Sequence, residues 1–142
     1  MNFLLLAPLL IPLLTAVTLP LFRHQPNIRE AFTLFGGALL FIATLLLYQS
    51  IDWQSPPEQL IAEPIQGLSI SLQPDPLGIM FSLLVGFLWP ITSLYAIGYM
   101  RGHNEENQTR FYIFFALSIA ITQGIALSGS LLTLFLFYEL LT

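Results

Sequence analysis

The sequence predicts an all-α integral membrane protein with four transmembrane helices, the start of a fifth, and a small extracytoplasmic hairpin between the second and third. Three observations lead there. Hydrophobic residues make up 56% of the chain and charged residues 8%, with a mean hydropathy of +0.78, whereas an ordinary soluble domain carries roughly 25% charged residues. Apolar runs of about 20 residues, enough to cross a hydrocarbon core of roughly 30 Å, recur along nearly the whole chain. The one long polar stretch, 52–76, contains a period-two alternation that suits a strand.

Read by uninterrupted apolar length, the spans lie near 2–22, 30–51, 77–100 and 111–128, and a fifth begins near Ser130 and is unfinished at Thr142. Residues 1–128 are thus expected to form an N-terminal group of helices, 52–76 a loop or hairpin, and 129–142 the start of a truncated helix. Pro8, Pro12 and Pro20 in the first span and Pro90 in the third predict bends rather than ends, because neighbouring helices re-satisfy freed carbonyls in a bilayer. Within 52–76, Leu68, Ile70 and Leu72 alternate with Ser69, Ser71 and Gln73 behind the turn residue Gly67, and Leu60 and Ile61 open a partner strand. Asp75-Pro76 reads as the N-cap and first helical position of the third span. Gly36-Gly37, Gly86 and Gly124 are small positions that let helices approach closely.

The charges exclude several functions. With a net charge of −4 and no lysine or cysteine, the chain is not expected to bind nucleic acid or to use disulfides or thiolate metal sites. No cofactor or metal is expected, His24 and His103 being too few for a metal centre. Arg23 and Arg29 flank the first connection and Arg101 and Arg110 the third. The positive-inside rule then puts those loops in the cytoplasm and the N-terminus, the 52–76 segment and the turn at Ser128–Ser130 outside. The expected location is the cell (inner) membrane, multi-pass.

Seven carboxylates, Glu30, Asp52, Glu58, Glu63, Asp75, Glu105 and Glu106, fall in expected loops or helix ends where water solvates them. Glu139 does not. With the fifth helix starting near Ser130, a rise of about 1.5 Å per residue puts it roughly 13 Å inside, near the middle of the hydrocarbon core. A charge at that depth costs at least about 2.5–3.5 kcal/mol. It must be neutralised by a proton, paired with a cation, or turned to a hydrated cavity, and a carboxylate with a movable cationic partner can load and release a proton. The alternative is a protonated glutamate serving as packing glue between helices. Thr122 and Gln123, mid-way along the fourth span, suit either interhelical hydrogen bonding or a wet path towards Glu139. His103, in the loop RGHNEENQTR, is an ordinary loop histidine or a proton-entry group, since imidazole titrates near physiological pH.

The stretches DPLGIMFSLLVGFLWPITSLYAIGYM and RFYIFFALSIAITQGIALSGSLLTLFLFYELLT resemble the antiporter-like subunits of Mrp-type multisubunit cation/proton antiporters, nearest to the D-subunit branch, and of respiratory complex I. The likeness is carried by Asp75-Pro76-Leu77-Gly78 opening the third span, Ile97-Gly98-Tyr99-Met100 closing it, and Phe137-Tyr138-Glu139-Leu140 in the fifth. It implies a large helical subunit in which an N-terminal group of spans precedes two inverted proton-conducting repeats. It also implies that Glu139 occupies the family's relay-glutamate position, working with a lysine on a later, broken helix. This chain has no lysine, so that partner is expected beyond Thr142 or on another chain, and the sequence is expected to be the N-terminal part of a longer protein. The implied partners are other membrane subunits of one complex, the lipid bilayer, protons and Na+. Three functions follow: a cation/proton antiporter subunit, a proton-pumping subunit of an NADH:quinone oxidoreductase, or a non-transporting scaffold. The chain by itself carries no flavin, iron–sulfur or quinone motif.

Overall fold

The computed structural model describes residues 3–55, 57–104 and 106–142; Glu105 and the expected first residue of the first span, Asn2, lie outside them. Helix α1 (Phe3–Thr18) takes Pro8 and Pro12 within its α-helical run, both buried. Pro20 behaves differently: the span continues to Phe22, but Leu19–Phe22 winds as a 3-10 turn. Proline lacks the N–H that an interior α-helical position needs, and the tighter winding suits short helix ends. Helix α2 (Pro26–Ser50) begins at Pro26 rather than near residue 30, because proline is pre-shaped for the first helical turn.

The polar stretch folds as an antiparallel pair, β1 (Gln59–Ile65) and β2 (Leu68–Leu72). Gly67 makes the turn at φ +89, a conformation that glycine adopts without a side-chain penalty, and its N–H donates to Glu63 Oε1 at 3.0 Å. The register slips between Ala62 and Ile65, where Pro64 has no N–H to give the ladder.

Helix α3 (Pro76–Gly102) starts as expected: Asp75 Oδ1 accepts from the Gly78 N–H at 2.7 Å, with Pro76 in the first turn. Helices α4 (Gln108–Ala126) and α5 (Leu131–Leu141) complete the chain. Among the described residues, four segments are long and apolar enough to cross a membrane: Phe3–Phe22, Pro26–Ser50, Pro76–Gly102 and Gln108–Ala126.

These four close into a ring. Each of α1 to α4 packs on the next and α4 packs back on α1, while α5 rests on α4 and β2. Two apolar clusters fill the interior: Leu5, Leu47, Ile51, Leu72, Ile79 and Leu127 beneath the hairpin, and Ala16, Leu40, Trp89 and Ala116 deeper in the bundle. Close approach is built into Gly78, where a Cβ would overlap the carbonyl oxygen of Ala126. The small residue thus lets the start of α3 touch the end of α4.

The hairpin is fastened to the α4–α5 turn. Gln73 N–H donates to Leu127 O and Gly129 N–H to Ser71 O, each at 2.9 Å. Ser71 N–H donates to Thr133 Oγ1 at 2.9 Å and Ser130 Oγ to Ser69 O at 2.6 Å. These bonds give buried backbone groups their partners, and they set where α5 begins.

Candidate functional site

Helix α5 is positioned by one side only. Ser130 caps it, accepting from the Thr133 N–H at 3.2 Å. Thr133 is fully buried, and one turn later Phe137 packs against the cluster beneath the hairpin. The Phe137 ring fits because position 124 is glycine; a Cβ there would stand 2.6 Å from it.

Glu139 follows from this placement. At about 100° per residue it lies roughly 160° round the helix from Phe137 and roughly 120° from Thr133, so its side chain leaves the bundle on the face away from α4. Glu139 is exposed between Tyr138 and Leu140, which are 57% and 66% exposed. Among the described residues it forms no ion pair.

The other candidates do not gather around it. Gln123 is fully buried and clamps α4 to α3: Ser82 Oγ donates to its Oε1, and its Nε2 donates to the Ser82 carbonyl at 3.1 Å. Thr122 is half-buried, with its hydroxyl turned back to donate to Ser118 O at 2.7 Å. His103 lies at the other end of the bundle, stacked on Tyr99 at 4.3 Å between ring centroids, with Nδ1 3.0 Å from the Tyr99 carbonyl.

One expectation is overturned. Glu30 is not solvated: it is 5% exposed, as is Arg29 beside it. The cause is the earlier start of α2, which carries Glu30 a full turn into the helix and turns it towards α3. There Arg101 Nε donates to Glu30 Oε1 at 2.9 Å and a second guanidinium nitrogen of Arg101 pairs with Oε2. Arg29 lies 3.7 Å from the same carboxylate, donates to Thr109 Oγ1 at 2.8 Å and to Gln108 Oε1 at 3.1 Å, and stacks over the Tyr112 ring at 5.4 Å. This cluster ties the ends of α2, α3 and α4 together. Sequence reasoning missed it because it began the second span at Glu30, leaving Glu30 at a solvated helix end and Arg29 in the connection; Pro26 as a helix-start residue was the available signal. Among the described residues no group of three His, Asp or Glu side chains converges as a metal site.

A ring of four apolar helices long enough to span a bilayer, with a fifth that turns the Glu139 carboxylate outward, defines a multi-pass membrane protein. Comparison with known proteins agrees. The family model for "NADH-Ubiquinone oxidoreductase (complex I), chain 5 N-terminus" matches residues 65–112. The chain is 31% identical over 134 residues to the Na(+)/H(+) antiporter subunit A1 of Staphylococcus aureus, covering 92% of this chain and 16% of that protein; the same subunit of strain JH9 matches equally. In fold it is similar to a chain of the membrane-bound sulfane sulfur reductase, an archaeal respiratory membrane complex, with a TM-score of 0.79 at 20% identity, covering 97% of this chain and 21% of that one. The chain is homologous to the antiporter-like membrane subunits shared by Mrp-type antiporters and complex I. These antiporter relatives are A subunits rather than the D branch that the motifs suggested, so the likeness holds for the family. The chain spans 16% of the length of these curated relatives.

Proposed function

We propose that this chain is the N-terminal part of a membrane subunit of a multisubunit monovalent cation/proton antiporter, and that Glu139 is an intramembrane group that loads and releases a proton. The observation that carries the reading is the outward face of α5. A carboxylate at mid-depth is tolerated where it faces a bundle interior, a wet cavity or a cation, and among the described residues the four-helix ring supplies none of these to Glu139. The open face therefore serves as the docking side for further helices that bring the cationic partner. Homology to a Na(+)/H(+) antiporter subunit supports Na+ and protons as the exchanged ions and other membrane subunits as neighbours.

In the proposed orientation the arginine-bearing ends of the bundle face the cytoplasm, and the N-terminus and the hairpin lie outside. Thr122 and Gln123, near the α4–α5 turn, and His103, at the cytoplasmic end, are secondary groups of the proton path. The match of residues 65–112 to a complex I family favours a second reading, a redox-driven proton pump using the same glutamate.

The test is Glu139→Gln in the complete subunit, assayed in inverted membrane vesicles by the collapse of a preformed pH gradient on adding Na+. The expected result is loss of exchange with assembly intact. Exchange at the parent rate would refute the relay. Exchange that depends on NADH supply rather than on an imposed gradient would select the pump.

A further inference from the structure

We propose that the arginine-rich cavity at the start of α4 binds the phosphate of an anionic phospholipid, whose acyl chain lies in the phenylalanine groove that continues from it. The cavity, about 690 Å³, opens between the 3-10 turn after α1, the start of α2 and the first turn of α4, and its wall carries Arg23, Arg29 and Arg110. Among the described lining residues there is no carboxylate. Arg29 is held in place by Thr109 and Gln108 and is 5% exposed, so its cation is fixed rather than swinging in water. Arg23 and Arg110 are exposed and, among the described residues, form no ion pair.

Three like charges around one concavity repel each other unless an anion sits between them. Among the described residues, Arg29 is the one of the three that lies within ion-pair distance of a carboxylate, Glu30 at 3.7 Å. The first turn of α4 adds the positive end of a helix dipole, and its cap residue Asn107 makes no side-chain hydrogen bond to it. Basic pockets between transmembrane helices recognise phosphate headgroups in this way.

Phosphate alone would need only the cavity. A second groove of about 440 Å³ shares Asn107, Arg110 and Phe114 with it and continues past Phe111 and Phe115 to Ser118. Along the helix that distance is roughly 16 Å. A cationic end that runs into an aromatic, apolar strip parallel to a membrane-spanning helix fits an amphiphile, with the headgroup at the arginines and the acyl chain on the rings. This inference is independent of the transport reading.

The experiment uses the full chain in its native complex, extracted in mild detergent and titrated with dioleoylphosphatidylglycerol, dioleoylphosphatidylcholine or inorganic phosphate, with retained ligand counted by native mass spectrometry. Each basic group near an anionic lipid is worth about fivefold in binding. Arg23→Gln with Arg110→Gln, both outside the buried ion cluster, should therefore weaken retention of one phosphatidylglycerol roughly twenty-five-fold and leave phosphatidylcholine unchanged. Phe111→Ala, which lines the groove and not the cavity, should weaken the lipid without affecting phosphate. Equal retention of both lipids, or phosphatidylglycerol retention unaltered in the arginine variant, would overturn the proposal. So would binding of inorganic phosphate only, or no lipid adduct at all, as expected if a protein carboxylate fills the cavity.

Discussion

Glu30→Gln is the sharpest probe of how the bundle is held together. The substitution keeps the shape and removes the charge that Arg29 and Arg101 share. Arg29 is then left 5% exposed, with the neutral acceptors Thr109 Oγ1 and Gln108 Oε1 and no counter-charge. At the 3.7 Å separation seen here and an effective dielectric near 20, the lost attraction is about 4 kcal/mol. That agrees with about 3–5 kcal/mol for breaking a buried pair by removing one partner. For a chain of this size about 1 kcal/mol moves the melting temperature by roughly 3 °C, so the expected fall is about 12 °C. The assay is thermal unfolding of the purified protein in detergent, followed by tryptophan fluorescence, for Glu30→Gln, Arg29→Gln and the double variant. Because the second substitution removes the charge stranded by the first, the double variant should cost less than the sum of the singles by at least about 1.5 kcal/mol. Additivity within about 0.5 kcal/mol would refute the reasoning.

Other perturbations test separate contacts. Gln123→Leu should cost about 1–3 kcal/mol by leaving the Ser82 hydroxyl without its partner in the interior, measured in the same melting assay; a variant as stable as the parent would show that the clamp adds nothing. Gly78→Ala forces a Cβ against the Ala126 carbonyl, a backbone atom that cannot swing away, and should cost about 1–3 kcal/mol. Asp75→Ala removes the cap on α3 and should cost about 1 kcal/mol, with faster amide exchange confined to the first turn of that helix.

Much of the fold was legible because its determinants are local. The spans could be read from apolar length, the hairpin from Leu68, Ile70 and Leu72 alternating behind Gly67, and the start of α3 from Asp75-Pro76. Boundaries were missed where a proline set them: α2 begins at Pro26, and Pro20 sits in a 3-10 turn. At the candidate site, sequence identified Glu139 as the carboxylate needing an explanation. It did not reveal that Gln123 is engaged with Ser82 and Thr122 with its own helix, since a polar residue in an apolar run looks the same whichever side it faces.

Composition and periodicity by themselves therefore determined that this is a multi-pass helical membrane protein, roughly where its helices lie, and that one carboxylate, Glu139, falls within an apolar helix. Each of these depends on residues within one or two turns of one another. Tertiary structure decided which faces are covered: that Glu30 is buried against Arg101, 71 residues away, and that Thr133 and Phe137 hold α5 by one side and leave Glu139 on the other. Burial of a side chain is a property of the neighbouring helices, and their rotation about their axes is set by long-range packing that hydropathy along the chain does not encode.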